Sequence, residues 1–395
     1  MEKVHDKLLV WGTEVDYQTR EQADRAARLP FVPGHVALMP DAHVGIGATV
    51  GSVIPTEGAV VPSFAGVDLG CGMIATETIY TADDLPDNLD PLLSLVSRRI
   101  PAGVGKGRDL GYRDGYRDVF GVVGEPPSKL SAKQQATTIA QFGTLGSGNH
   151  FVEISIDERG TVWTVLHSGS RGIGNQLATH HIGKAKGLMR EHLSTLGDPN
   201  LAYFTEGTPE FAAYIQDMLW AQRYAYESRA RMNSELLKSL AEVISPKRPA
   251  KEKAITVQVV NCHHNYTERE NHLGRDLWIT RKGAIKAGPG DLGVIPGSMG
   301  TDTYIVRGRG NPDSYNSSSH GAGRRLSRGA AKRELDKAGL KAQMKGKTWN
   351  ADAAGSLIDE DPRAYKDIRQ VMADQSDLTE VVHVLNQVLN YKGTG

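Results

Sequence analysis

Residues 66–73 read GVDLGCGM, a glycine-rich turn in which Asp68 and Cys71 stand three positions apart. Gly70 and Gly72 flank the thiol and let the backbone bend sharply at little steric cost, so a carboxylate and a sulfur can aim at one point. A metal ion there would lower the thiol pKa and keep the sulfur as thiolate. The plainer reading is a small buried cysteine in a tight turn, because free cysteine is among the most buried residue types. The turn therefore calls for partners elsewhere in the chain.

Similar junctions recur. Residues 35–55, HVALMPDAHVGIGATVGSVIP, carry an apolar run into Asp41 and His43 and then into glycines, although Asp after Pro is more commonly a turn cap. Residues 143–154, GTLGSGNHFVEI, turn on glycines into an alternating strand bearing Asn149, His150 and Glu153. A hairpin expected at 157–160 leads into TVWTVLHSGSRGIG, which ends in His167, Ser168 and Arg171. Residues 255–266, ITVQVVNCHHNY, form an apolar strand ending in Cys262, His263 and His264, and one of the two histidines can face inward. Further on, PGSMG offers Ser298 and backbone donors, and His320 precedes a glycine-rich turn and a basic helix. Each histidine alone is more often structural. Together Asp68, Cys71, His150, His167 and His264 exceed one metal's usual protein share: zinc would take part of the set, whereas two ions bridged by the thiolate would use all of it.

Lys plus Arg equals Asp plus Glu at 46 each in 395 residues, so a nucleic-acid partner would need a local patch. Two cysteines are too few for a disulfide framework. No apolar run approaches the roughly 20 residues of a membrane span, and the acidic N-terminus lacks a cleavage site, so we expect a cytoplasmic protein with no membrane partner. Helices are expected at 21–28, 81–99, 175–195 and 208–244, the last with Phe211, Tyr214, Met218 and Leu219 in the core. Residues 102–118 read as a long exposed loop, either merely solvated or suited to a phosphate backbone, 245–253 as a polar linker, and the C-terminal part as mostly helical. The fold expected is one mixed α/β (α+β) domain spanning 1–395, with β-sheets around the cleft and peripheral helices.

In MPDAHVGIG, GSVIP, GVDLGCGM, LGSGNHFVE, HSGSRGIG, NCHHNY, PGSMG, HGAGR and AYKDI, taken in order, the chain closely resembles the RtcB family of GTP-dependent RNA ligases. These join RNA 3′-phosphate or 2′,3′-cyclic phosphate ends to 5′-hydroxyl ends, in RNA repair or tRNA splicing. The resemblance implies two Mn²⁺ ions on Asp68, Cys71, His150, His167 and His264, with Cys71 bridging. It implies that His320 is the nucleophile that takes GMP from GTP, with Asp41 in a motif needed for activity. Guanylate contacts would fall on Asn149, His150, Phe151, Val152, Glu153, His264, Asn265, Pro296, Gly297, Ser298, Met299, Gly321, Ala322, Gly323 and Lys392. Thr303 keeps a hydroxyl near the nucleotide where relatives carry serine, and Tyr365 is a candidate guanine-side contact. Arg171 and Arg324 are candidates for phosphate or RNA, since a guanidinium fork binds two oxygens at once. Cys262 and His263 are assigned to structure. An archease-type activator is a further partner to be considered.

Three rivals stand beside this reading, of which a noncatalytic RNA-binding module is disfavoured as a general RNA binder by the zero net charge. A dinuclear phosphoesterase would use the same metal ligands but needs neither His320 nor Lys392. A paralogue that guanylylates 3′-phosphate ends of RNA or DNA without efficient sealing would need both.

Overall fold

The alternating segment TVWTVLHS forms the strand Thr161–Ser168 near the middle of the larger sheet. In the computed structural model, which describes residues 1–108 and 112–394, its two faces enter different cores. Val162 and Leu166 pack with Leu236 and Leu240 of the long helix Pro209–Ile244. Trp163 and Val165 pack with Met73, Phe151, Val294, Ile305 and Leu385. A period of two places His167 on the second face, away from the helix. Ordered across the sheet are Thr256–His263, Gly72–Thr81, Thr161–Ser168, Phe151–Ile156, Thr379–Lys392, Thr303–Gly308 and Leu292–Pro296, each antiparallel to its neighbour. The expected hairpin joins Phe151–Ile156 to Thr161–Ser168.

A second sheet runs Glu2–His5, Leu8–Val10, Val36–His43, Val50–Thr56, Arg275–Lys282 and Asn265–His272. The chain passes from one sheet to the other with only His264 between the strands Thr256–His263 and Asn265–His272. That crossing is stitched to the GVDLGCGM turn: Gly70 N donates to Asn265 O at 2.8 Å, and His264 N to Cys71 O at 2.8 Å. A short ribbon, Ala284–Lys286 with Ser317–Ser319, delivers His320 to the same region. The fold is mixed α/β, and the chemistry-bearing turns lie where its two sheets meet.

Several sequence expectations are corrected. The 81–99 helix begins only at Asp90, because Pro86 disfavours helix at Leu85 and Asp84 instead caps a short turn through the Thr81 N–H. The second half of the 102–118 loop is the start of helix Tyr112–Val123, whose Val119 and Phe120 join a core with Ile139 and Phe142; residues 109–111 lie outside the described residues. Leu219 is 51% exposed, since it falls a third of a turn off the stripe of Phe211, Tyr214 and Met218. The 175–195 helix is Arg171–Leu188, and the 245–253 linker runs into a helical turn at Glu252–Ile255. The C-terminal part has short helices only, and it ends in the 14-residue strand Thr379–Lys392. Among the described residues, no helix is long and apolar enough to cross a membrane.

Candidate active site

Cys71 lies at the centre of the convergent turns, 2% exposed. Its Sγ is 3.4 Å from His150 Nε2 and 3.2 Å from His167 Nε2. His150 Nε2 is also 3.0 Å from Asp68 Oδ2, and His167 Nε2 is 3.2 Å from His264 Nε2. The second ring nitrogens are committed: His150 Nδ1–H donates to Leu145 O at 3.0 Å, and His167 Nδ1–H to Asn149 O at 3.1 Å. Carbonyls only accept, so in the neutral rings both Nε2 atoms present lone pairs to one sulfur that has a single proton to share. A cation among them resolves that conflict, and the donor set of carboxylate, sulfur and imidazoles fits a divalent transition metal. Burial pushes His167 and His264 well below the usual histidine range, which leaves them neutral as ligands must be. Burial and the nearby Asp68 charge push the metal-free Cys71 thiol well above its usual range. Gly169 makes room for Asp68, since a Cβ there would fall 2.1 Å from Oδ1.

His320 stands beside this cluster, its ring centroid 4.8 Å from that of His264. Asp41, fully buried, receives three hydrogen bonds on Oδ2: from His320 Nδ1 at 2.6 Å, His320 N at 3.1 Å and Gly321 N at 3.2 Å. Burial opposes ionisation of Asp41, but His320, His43 and Lys366 outweigh it and bring the carboxyl below the usual range. Lys366 also clamps the strand around Asp41, with Nζ donating to Pro40 O at 3.0 Å and Ala42 O at 2.8 Å. Gly323 lies flat on the same backbone; a Cβ there would meet Asp41 O at 2.2 Å.

A cleft of about 380 Å³ opens over Asp68, Cys71, His167, His264 and His320. Its walls include Asn149, Phe151, Glu153 and Asn265 on one side. The turns at 296–299 and 321–323 line it too, as do Arg324, Tyr365 and Lys392. Lys392 Nζ is 2.7 Å from Glu360 Oε2, and Glu360 also holds Arg324 and Arg328. Burial opposes ionisation of Glu360, but these three cations bring it down to about 2. Among the described residues Glu153 makes no such ion pair: burial pushes it up to about 8, against hydrogen bonds from Thr303 and Asn390.

Not every expected contact reaches the cleft wall. Val152 points into the helix-side core, and Thr303 is buried behind Glu153. Arg171 lies behind the cluster, its Nε donating to Thr144 Oγ1 at 3.2 Å. His263 turns away from the sulfur toward Arg229 and Gly70. Sequence reasoning named His43 without giving it a role and passed over Lys282, Arg328, Glu360 and Asn390, which all line the cleft. Lys282 carried a usable signal, a lysine closing a strand ahead of Gly283; its ammonium reaches Ile46 O and Ser63 O, and burial brings it down to about 7.

A family model described as tRNA-splicing ligase RtcB matches residues 22–393. The chain belongs to the RtcB family. It is 42% identical over 400 residues to the RNA-splicing ligase RtcB of Escherichia coli (strain K12), covering 98% of this chain and 97% of that protein. It is 29% identical over 433 residues to the tRNA-splicing ligase RtcB of Nanoarchaeum equitans, covering 90% of this chain and 87% of that protein. The tRNA-splicing ligase RtcB of Methanococcus maripaludis is likewise 29% identical, over 93% of this chain and 88% of that protein. The RtcB family is one of RNA ligases, and this chain is an enzyme of that class.

Proposed function

We propose that this chain is a GTP- and Mn²⁺-dependent ligase that joins RNA 3′-phosphate or 2′,3′-cyclic phosphate ends to 5′-hydroxyl ends through a guanylyl-His320 intermediate. The observation that carries this reading is the Asp41–His320 pair set against the ligand cluster. With Nδ1–H donated to Asp41, the Nε2 lone pair of His320 is its free nucleophile, in the tautomer Asp41 selects. Attack of Nε2 on the α-phosphorus of GTP forms an N–P bond and expels pyrophosphate, and Asp41 offsets the charge that the ring acquires. The guanylate then passes to the RNA 3′-phosphate, and attack by the 5′-hydroxyl releases GMP and seals the strand. A cyclic phosphate is opened by water beforehand.

Two Mn²⁺ ions held by Asp68, Cys71, His150, His167 and His264 would supply neutralisation of charge on the phosphates. Gly297, Gly321 and Gly323 line the cleft with backbone that a phosphate can approach. Along the same cleft, the Glu153 carboxyl offers a carbonyl oxygen that accepts a hydrogen bond, and the Lys392 ammonium donates. Guanine offers N–H donors beside a carbonyl and complements that pair, whereas adenine reverses the pattern at its six-position. Arg324 and Arg328 at the rim suit RNA phosphates.

The test is incubation with Mn²⁺ and α-labelled GTP, then denaturation and mass mapping of the label. An acid-labile guanylate on His320, absent in His320→Ala and formed roughly 10²–10⁴-fold more slowly in Asp41→Asn, is the expected result. Hydrolysis of phosphate esters by a metal-loaded chain that never becomes labelled would replace the ligase with a dinuclear phosphoesterase.

A further inference from the structure

Arg229 of the long helix Pro209–Ile244 is fully buried, and among the described residues its hydrogen-bond partners include no carboxylate. A guanidinium taken out of water without a carboxylate bonded to it is costly, so its bonds show what it is kept for. Nη1 donates to Gly70 O at 2.8 Å and to Ser168 O at 3.0 Å. Nε donates to Asn261 Oδ1 at 3.1 Å, and Nη2 lies 3.2 Å from His263 Nδ1. His263 Nδ1 also lies 2.9 Å from Gly70 O, so it either accepts from Arg229 or donates to that carbonyl, and Asn261 is the firm tie on this strand.

The bonds to Gly70, Ser168 and Asn261 reach three segments of chain. Gly70 lies between Asp68 and Cys71, Ser168 follows His167, and Asn261 and His263 precede His264. Four of the five candidate ligands are thus fastened from behind to one planar fork, while the cleft side stays open. Arg229 is not part of the cleft wall. Gly72 leaves room for the arrangement, since a Cβ there would fall 3.0 Å from Arg229 Cζ.

We propose that Arg229 is a positioning residue for the metal centre, holding the Asp68–Cys71 turn, the His167 strand end and the His264 crossing in ligating register before metal enters. The proposal rests on the metal-centre reading above. Lysine keeps the charge but cannot make the forked bonds, so it is no conservative replacement here.

The experiment titrates Co²⁺ into the metal-stripped chain and reads the thiolate-to-cobalt charge-transfer band with the visible bands that report coordination geometry. Wild type, Cys71→Ser, Arg229→Lys, Arg229→Met and Met232→Ala are compared, each with its thermal melt. Met232, one turn nearer the C-terminus and fully buried, supplies destabilisation of the same helix and, among the described residues, makes no hydrogen bond to the ligand segments. In both Arg229 variants, Co²⁺ affinity falls about 10- to 100-fold and the visible bands change. Met232→Ala lowers the melting temperature and leaves affinity and spectrum as in wild type. Arg229→Lys that folds and binds Co²⁺ with wild-type affinity and spectrum overturns the proposal, as does a loss in Met232→Ala equal to that in the Arg229 variants. A wild-type chain without the band, or a band that survives Cys71→Ser, overturns the metal-centre reading itself and the proposal with it.

Discussion

Glu153 and Glu360 face the same cleft, yet their surroundings drive their protons in opposite directions. The difference lies in direct partners: Glu360 is ion-paired with Lys392, Arg324 and Arg328, whereas the hydrogen bonds to Glu153 come from the neutral Thr303 and Asn390. The Glu153 pKa rises from 4.5 unfolded to about 8 folded, so between those values the folded chain keeps a proton that the unfolded chain has released. Its contribution is complete below the unfolded value and declines as pH rises toward about 8. Glu360, at about 2, stabilises above its unfolded value of 4.5 and loses that contribution as pH falls through about 2. In thermal melts of the metal- and nucleotide-free protein, wild type should therefore lose stability relative to Glu153→Gln as pH rises from 4.5 to about 8. Parallel melting profiles for the two proteins would show that burial does not hold the Glu153 proton. The two residues also differ in legibility. Glu153 follows a glycine-rich turn and an adjacent histidine, a context that marks it from sequence, whereas Glu360 lies in the acidic run 359–361 and reads as solvated surface. Only the arrival of Arg324, Arg328 and Lys392 from distant parts of the chain distinguishes it.

At the scale of elements, the strand-to-turn junctions were readable because glycine and β-branched residues mark them locally. The closing strand Thr379–Lys392 was not, because basic helices precede it and its apolar residues do not keep a strict alternation. Register shifts between Ile305 and Val306, and between Gln387 and Leu389, explain the pattern: bulges reset which side chains face the core. The strand pairs Asn390 with Glu153 and Lys392 with Phe151, so its packing sets the far wall of the cleft. Leu389, fully buried among Val152, Ile154 and Tyr391, should be decisive. Leu389→Ala is expected to cost about 2–5 kcal/mol in urea denaturation. Val381→Ala, at a position 43% exposed on the same strand, should stay within about 0.5 kcal/mol of wild type. Equal costs at the two positions would mean that the strand does not use its Leu389 face as a core element. Arg229 was invisible to sequence reading for a related reason: its partners lie on three separate strands and turns, with no local motif to join them.

Across the whole molecule the net charge is zero, so RNA cannot be drawn in by a general positive field. Charge is instead concentrated: residues 324–347 carry nine basic residues against two acidic ones. This segment starts at the cleft, where Arg324 and Arg328 form part of the wall, and continues through helices Arg328–Glu334 and Lys337–Gln343. The second helix packs behind the cleft, with Leu340 and Met344 against Met299. Its basic residues consequently point outward; Arg333, Lys341 and Lys345 are exposed and make no ion pair among the described residues. A single RNA strand leaving the site of end-joining would meet these cations as a row of phosphate contacts. Replacing all three with glutamine should reduce the slope of log affinity against log salt by about 2, since each phosphate contact on a single strand contributes about 0.7. Anisotropy titrations of labelled single-stranded RNA at several salt concentrations measure that slope. Guanylylation of the protein by GTP alone should be unchanged, because these residues stand outside the cleft wall. The loss should also grow with RNA length, because an end only a few nucleotides long would fill the cleft without reaching the helices. An unchanged salt slope with long RNA would mean that the strand leaves the cleft by another face, and that these charges serve solubility rather than binding.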